Sequence, residues 1–251
     1  MPRNPTKRNA QKPLHNMTKA HYPEIEAAGG LTFAIDIAFK KIGSALRVAN
    51  EDDPKFFPCV FALIEKDNKF SQIYIAAEEK LYLPDFWRDG VCLGYGKTDN
   101  IELLAECVDF WLTTNAKINQ VAEKFIFVTP NKDAAIFDEG KEVEHKWQSI
   151  LNDPNEKEIK SFVELAMKDR ILSKLFPYTS LMTLCFSRCT GYPFTYDTPT
   201  VTPIFETELY LVRTSDGNEI GYGSASEVLK IVLDNLPSDI VPAVKGTSEY
   251  L

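Results

Sequence analysis

Histidine, cysteine and long apolar runs are what this sequence has least of. Its three histidines, His15, His21 and His145, are scattered, and Cys185 and Cys189, four apart, have no histidine near them. A tetrahedral zinc site shows paired, close-spaced ligands twice over; that spacing is absent, so no metal is expected. Five cysteines, an odd number without regular spacing, argue against a disulfide framework and for a reducing compartment. No run reaches the roughly 18 apolar residues of a membrane span. The first twenty residues lack the apolar stretch of a secretory signal. These absences give a cytoplasmic expectation with no membrane partner. The patterns GxSxG, HExxH, GxxxxGK[ST] and GxGxxG are missing too. No catalytic residue and no cofactor is therefore expected, and the reading leans away from an enzyme.

What is present is an ordinary globular composition: 251 residues, 44% hydrophobic and 25% charged, enough for one large or two small domains. The net charge of −8 is unevenly spread. Arg3, Lys7, Arg8, Lys12 and Lys19 stand in the first twenty residues without an acid. Setting these five aside leaves 23 basic against 36 acidic residues, a net of −13 for the body. So acidic a body excludes non-specific nucleic-acid binding, which needs cations on phosphates, and favours a basic protein partner.

Residues 1–21 read as a disordered basic tail. Leu31 to Ala49 repeats apolar residues at helical spacing, with Glu51, Asp52, Asp53 and Pro54 to end it. Phe57–Ile64 and Phe70–Ala77 form a hairpin pattern around Glu65–Lys69, and Leu81–Trp87 and Val91–Tyr95 another around Asp89-Gly90. Asp99 with Glu102 reads as a capping box for a helix buried through Ile101, Leu104, Ala105, Val108, Trp111 and Leu112. Glu142–Leu151 and Glu156–Lys168 are helical patterns. Leu209–Arg213 and Glu219–Tyr222 form a further hairpin, and Ser224 with Glu227 caps the last helix. Residues 239–251 read as a loose tail.

Gly94-Tyr95-Gly96 and Gly221-Tyr222-Gly223 each close a strand and precede a capped helix, glycine being read as freedom to turn. This echo predicts an α+β fold of two related halves, 22–115 and 116–238. Each is a mainly antiparallel sheet with helices on one face.

The most varied stretch is Leu175–Pro199, LFPYTSLMTLCFSRCTGYPFTYDTP. Leu181, Met182, Leu184, Cys185 and Phe186 read as a strand covered on both faces. Cys185 is core and Cys189 a half-exposed thiol. Pro193 and Pro199 stiffen a loop bearing Tyr192, Phe194 and Tyr196, flat faces that suit recognition or cover a sheet. Arg188 and Asp197 flank it and can staple it. This loop and the acids Asp138, Glu139, Glu142 and Glu144 are the candidate partner-binding residues.

Three segments carry a resemblance: FWRDGVCLGYGKTDNIELLAECVDFWL, the central LFPYTSLMTLCFSRCTGYPFTYDTP, and IGYGSASEVLKIVLDNLP. With Tyr22-Pro23-Glu24 and Gly29-Gly30, they resemble an uncharacterised bacterial family over roughly residues 22–238. Some members of that family are labelled as natural-product-biosynthesis proteins. The resemblance implies a shared architecture and no catalytic residues. The expected function is a non-enzymatic binding module, an immunity protein or antitoxin that neutralises a basic toxin domain. The alternative is an accessory protein or enzyme of natural-product biosynthesis, with a pocket near Cys189, Arg188 and Asp197.

Overall fold

In the computed structural model of this chain, residues 20–49 and 61–251 are described. Expectations for residues 1–19, for the acidic stop at 51–54 and for the start of the first strand at 57–60 lie outside them. The chain divides into two units, Met1–Arg88 with Cys92–Ala134, and Asp89–Val91 with Ala135–Leu251. Each holds a five-stranded antiparallel sheet with helices against it, the α+β build expected from the sequence.

The first unit begins with α1 (Pro23–Ala28) and α2 (Leu31–Lys41). The helix expected to reach Ala49 stops earlier, because Gly43 takes φ 74 and turns the chain out of it. Strands β1 (Phe61–Lys66), β2 (Lys69–Ile75), β3 (Tyr82–Arg88), β4 (Val91–Gly96) and β5 (Val128–Pro130) lie in that order across the sheet. The β1–β2 turn is tighter than the five residues expected. Lys66 pairs with Lys69, leaving Asp67-Asn68 as a two-residue turn with Asp67 at φ 55. Asp89 and Gly90, at φ 54 and 75, make the expected turn. Helix α3 (Ile101–Thr113) buries Leu104, Ala105, Cys107, Val108, Trp111 and Leu112. Trp111 meets Phe86 of β3 edge to face at 6.0 Å. Fully buried side chains of this size contribute about 1.5–3 kcal/mol each. The cap of α3 is Asn100 rather than Asp99: its side chain accepts from the Glu102 and Leu103 amides at 2.9 and 3.0 Å. Helix α4 (Ile118–Lys124) and the short β5 come from a stretch without clear periodicity.

Two buried polar groups hold this unit. The Tyr22 hydroxyl lies 2.8–2.9 Å from the carbonyls of Ala76, Glu79 and Leu81 and accepts from the Leu81 amide at 2.8 Å. One hydroxyl thereby ties the entire β2–β3 connection to the start of α1. Lys69 donates to the carbonyls of Trp111 and Thr114 at 3.1 and 2.9 Å, capping the C-terminal end of α3 with a cation.

The second unit runs from α5 (Ala134–Glu139, whose first residue belongs to the first unit) through α6 (Glu142–Asn152), a 3-10 turn at Pro154–Ile159 and α7 (Lys160–Ala166). Strands β6 (Phe176–Ser180), β7 (Thr183–Ser187), β8 (Thr200–Pro203), β9 (Tyr210–Arg213) and β10 (Glu219–Gly223) then form a simple meander. It is followed by α8 (Ala225–Asp234). Trp147, Phe162, Leu184, Phe186, Val201, Val212, Val228 and Val232 share one core between helices and sheet. The Glu227 carboxylate accepts from the Ser224 amide at 2.8 Å and its hydroxyl at 2.7 Å, closing the start of α8.

Leu181 and Met182 are not in a strand core. Ser180 pairs with Thr183, and the two residues between form a hairpin turn, both with positive φ. Strand β7 is nonetheless buried on both faces, from Leu184 to Ser187. The Gly-Tyr-Gly segments recur structurally, each ending a strand before a capped helix, but not for the backbone freedom expected. None of the four glycines has positive φ. A Cβ on Gly94 would lie 2.8 Å from Ile118 of α4, and one on Gly221 would lie 2.7 Å from Ile231 of α8. Gly94 and Gly221 thus each make room for an isoleucine of a helix lying on the sheet.

Candidate functional site

The β7–β8 loop is built around Ser187, the last residue of β7. Its hydroxyl donates to the Cys189 carbonyl at 2.8 Å and accepts from the amides of Cys189 and Thr195 at 3.0 and 3.2 Å. A serine hydroxyl has one proton and two lone pairs, so its capacity is used up holding the two ends of the loop together. The Thr195 hydroxyl accepts from the Arg188 amide at 2.9 Å, and the Thr198 hydroxyl donates to the Phe186 carbonyl at 2.9 Å.

Two distant segments complete the frame. Residues 244–248, within the stretch expected to be loose, are hydrogen-bonded along the loop. The Val244 amide donates to Arg188, Thr190 to Val244, Gly191 to Gly246, and Ser248 to Pro193. The Asp89-Gly90 turn, part of the same unit, accepts the Tyr192 amide on Gly90 at 3.0 Å. Gly191 fits only as glycine: an added Cβ would sit 1.8 Å from the Asp89 carbonyl oxygen. The Tyr192–Pro193 peptide bond is cis.

The aromatic residues divide by direction. Phe194 turns inward and stacks on Tyr178 at 4.5 Å and Phe176 at 5.5 Å, covering the sheet over β6. Tyr192 and Tyr196 turn outward, 69% and 58% exposed. Arg188 and Asp197 are paired at 2.5 Å, the staple expected, and Arg188 also lies 4.0 Å from Asp239. Both are half-buried, and the Arg188 Nε and Asp197 Oδ1 atoms have no hydrogen-bond partner.

Cys189 is fully buried, not half exposed. Its sulfur lies 3.3 Å from the Ser187 hydroxyl and 3.5 and 3.6 Å from the carbonyls of Gly191 and Pro193, a packed position closed to reagents. Burial pushes the Cys185 thiol up, as it does the Tyr178 hydroxyl. Among the described residues, no three His, Cys, Asp or Glu side chains gather as a metal site needs.

The four acids proposed from sequence sit at the α5–α6 corner, but not all face outward. Glu142 is buried in the first turn of α6, Asp138 is half-buried, Glu139 pairs with Lys141 at 2.8 Å, and Glu144 is exposed. This corner and the loop are joined. Lys245 donates to the Phe137 carbonyl at 2.6 Å, while its neighbour Val244 is bonded to Arg188. The tail thus has the acid corner on one side and the aromatic loop on the other. The one sequence sign of the tail's part is Gly246, whose φ of 119 suits a path along another backbone.

In the first unit two acids, Asp85 and Glu24, are shifted in opposite directions. Burial raises the Asp85 carboxyl above the usual range, although it accepts the Gln72 amide at 2.8 Å. Glu24 is the reverse. Burial would raise it, but hydrogen bonds from Lys80 at 2.6 Å and Tyr82 at 2.7 Å hold its carboxyl below the ordinary range.

A family model described as a family of unknown function (DUF6193) matches residues 141–247. The matched span takes in α6 to α8, the entire second sheet, the loop and most of the tail. No curated protein and no solved structure matches the chain. Among the described residues no helix is long and apolar enough to cross a membrane.

Proposed function

We propose that the second unit is a non-enzymatic protein-binding module that grips a basic partner through Tyr192, Tyr196 and the Asp138–Glu144 corner. The specific form proposed is an immunity protein or antitoxin of a bacterial cytoplasm, with a cationic toxin domain as its partner. The observation that carries it is the contrast within one loop: its backbone is hydrogen-bonded along most of residues 188–195, yet two tyrosines project into solvent. A pre-ordered loop loses little entropy on binding, and outward tyrosines give contact area at two rotatable bonds each. The acids beyond the tail add attraction for a cation-rich surface. Cys189, sealed among carbonyls, gives a thiol-based enzymatic reading no support.

The test is a binding titration between this chain and the product of the neighbouring gene, with Tyr192→Ala and Tyr196→Ala beside the parent. A complex weakened about tenfold or more by each change supports the module. A complex indifferent to both, or a neighbouring gene whose product does not bind, removes this reading.

A further inference from the structure

The end of the second sheet away from the aromatic loop carries an apolar surface of its own. Two hairpin turns lie side by side there. Leu181-Met182 joins β6 to β7 immediately past the Ser180–Thr183 pair, and Ile204–Leu209 joins β8 to β9 immediately past the Pro203–Tyr210 pair. Leu184 pairs with Val201, and the hydroxyls of Thr183 and Thr202 meet at 2.9 Å, which holds the two turns in register. Leu181 is 97% exposed and Phe205 63%, with Met182, Ile204 and Leu209 also exposed.

The backbone at this place works against the residues it carries. Leu181 and Met182 take φ 46 and 68, and Glu206 takes φ 58. Tight hairpin turns of this kind ordinarily use asparagine or glycine. A bulky side chain at positive φ is strained, and such strain concentrates at working surfaces. Folding alone is served better by glycine, and solubility better by a polar residue. Leucine and methionine satisfy neither, so their value lies in what they touch.

Charge selects the partner. Glu206 and Glu208 stand between Phe205 and Leu209, and neither turn contains a lysine or arginine. A second copy of this chain would bring acid against acid on a body already strongly negative. An anionic membrane is disfavoured for the same reason. We infer that the paired tips Leu181-Met182 and Ile204–Leu209 form a second docking surface, for a protein partner that offers an apolar groove bordered by lysine or arginine. This surface is separate from Tyr192 and Tyr196, so it stands or falls independently of the function proposed above.

The experiment is a backbone-amide NMR titration of the full chain with a synthetic amphipathic leucine–lysine helical peptide, which carries the same chemistry, an apolar face bordered by lysine. A leucine–glutamate peptide of the same pattern is the control. The expected result is shifts at residues 181–183 and 204–209 with the lysine peptide only. Leu181→Gly with Phe205→Ser should weaken it about tenfold. Leu181→Gly alone should keep or raise Tm while binding falls, because glycine suits the turn; a loss through misfolding would lower both. The inference is overturned if no shifts appear or if they fall on residues 138–144 and 188–197 instead. Equal binding of the glutamate peptide, or a dimer in sedimentation that Leu181→Gly abolishes, also overturns it.

Discussion

Gly191→Ala is the sharpest single perturbation of the loop frame. The new Cβ would lie 1.8 Å from the Asp89 carbonyl oxygen and 2.9 Å from that of Gly246. Both obstacles are backbone, so no side-chain rotation relieves them, and the loop has to part from the Asp89-Gly90 turn and from the tail. Two hydrogen bonds go with that movement, Tyr192 to Gly90 at 3.0 Å and Gly191 to Gly246 at 2.8 Å. Each contributes about 0.5–1.5 kcal/mol net, and forcing extra volume into a packed place costs about 1–3 kcal/mol. The expected destabilisation is about 2–6 kcal/mol. Chemical denaturation with hydrogen exchange at residues 191, 192 and 248 measures it, and all three amides should lose protection together. Gly217→Ala is the control: its φ is 83, but an added Cβ meets nothing within 4 Å. Its cost should be confined to the backbone conformation, about 1–2 kcal/mol, with the loop amides unaffected. If Gly191→Ala matches the parent in stability and protection, the loop is not held by this frame, and a pre-ordered binding surface loses its basis.

Three further outcomes are expected. Tyr22→Phe should cost about 1–3 kcal/mol in urea unfolding, because the Leu81 amide and the carbonyls around it lose their shared partner; an unchanged midpoint would show that they find another. Asp85→Asn should raise Tm at neutral pH. The folded carboxyl titrates above its unfolded value of about 3.9, so the penalty it brings is absent below that value and grows as pH rises through the folded pKa. The variant's advantage should therefore shrink on acidification, and a constant difference across pH would refute the assignment. Glu24 has the opposite sign, its contribution being present above the unfolded pKa and lost as pH falls through the folded one. Asp197→Ala should cost about 1–3 kcal/mol, between the values for exposed and buried pairs. Arg188→Met with Asp197→Leu should recover part of that loss; additive losses would mean the pair is not coupled.

Much of the architecture was legible because its causes are local. Asp89-Gly90 announced its turn because few other residues tolerate that backbone. The buried face of α3 was readable from Leu104 to Leu112 because helical spacing is written in consecutive residues. The start of α8 was readable from Ser224 and Glu227. The candidate loop was visible in part: aromatic content and flanking charges singled out Arg188–Asp197. Phe194 differs from Tyr192 and Tyr196 only in lacking a hydroxyl, and it alone of the three stacks over Phe176 and Tyr178. Glu142 likewise looked like its acidic neighbours but is buried where α6 begins. Leu181-Met182 misled because an apolar pair suggests a core, and only the pairing of Ser180 with Thr183 turns it outward.

Sequence alone determined two α+β halves, several of their helices and hairpins, and an acidic body with a conspicuous aromatic loop. Those follow from propensity, periodicity and charge, which act between near neighbours. Tertiary structure decided which tyrosines stay exposed, what seals Cys189, and that residues 244–248 and the Asp89-Gly90 turn frame the loop. These depend on residues far apart in the chain meeting across a few ångströms of backbone, and such meetings leave no pattern in the sequence around either one.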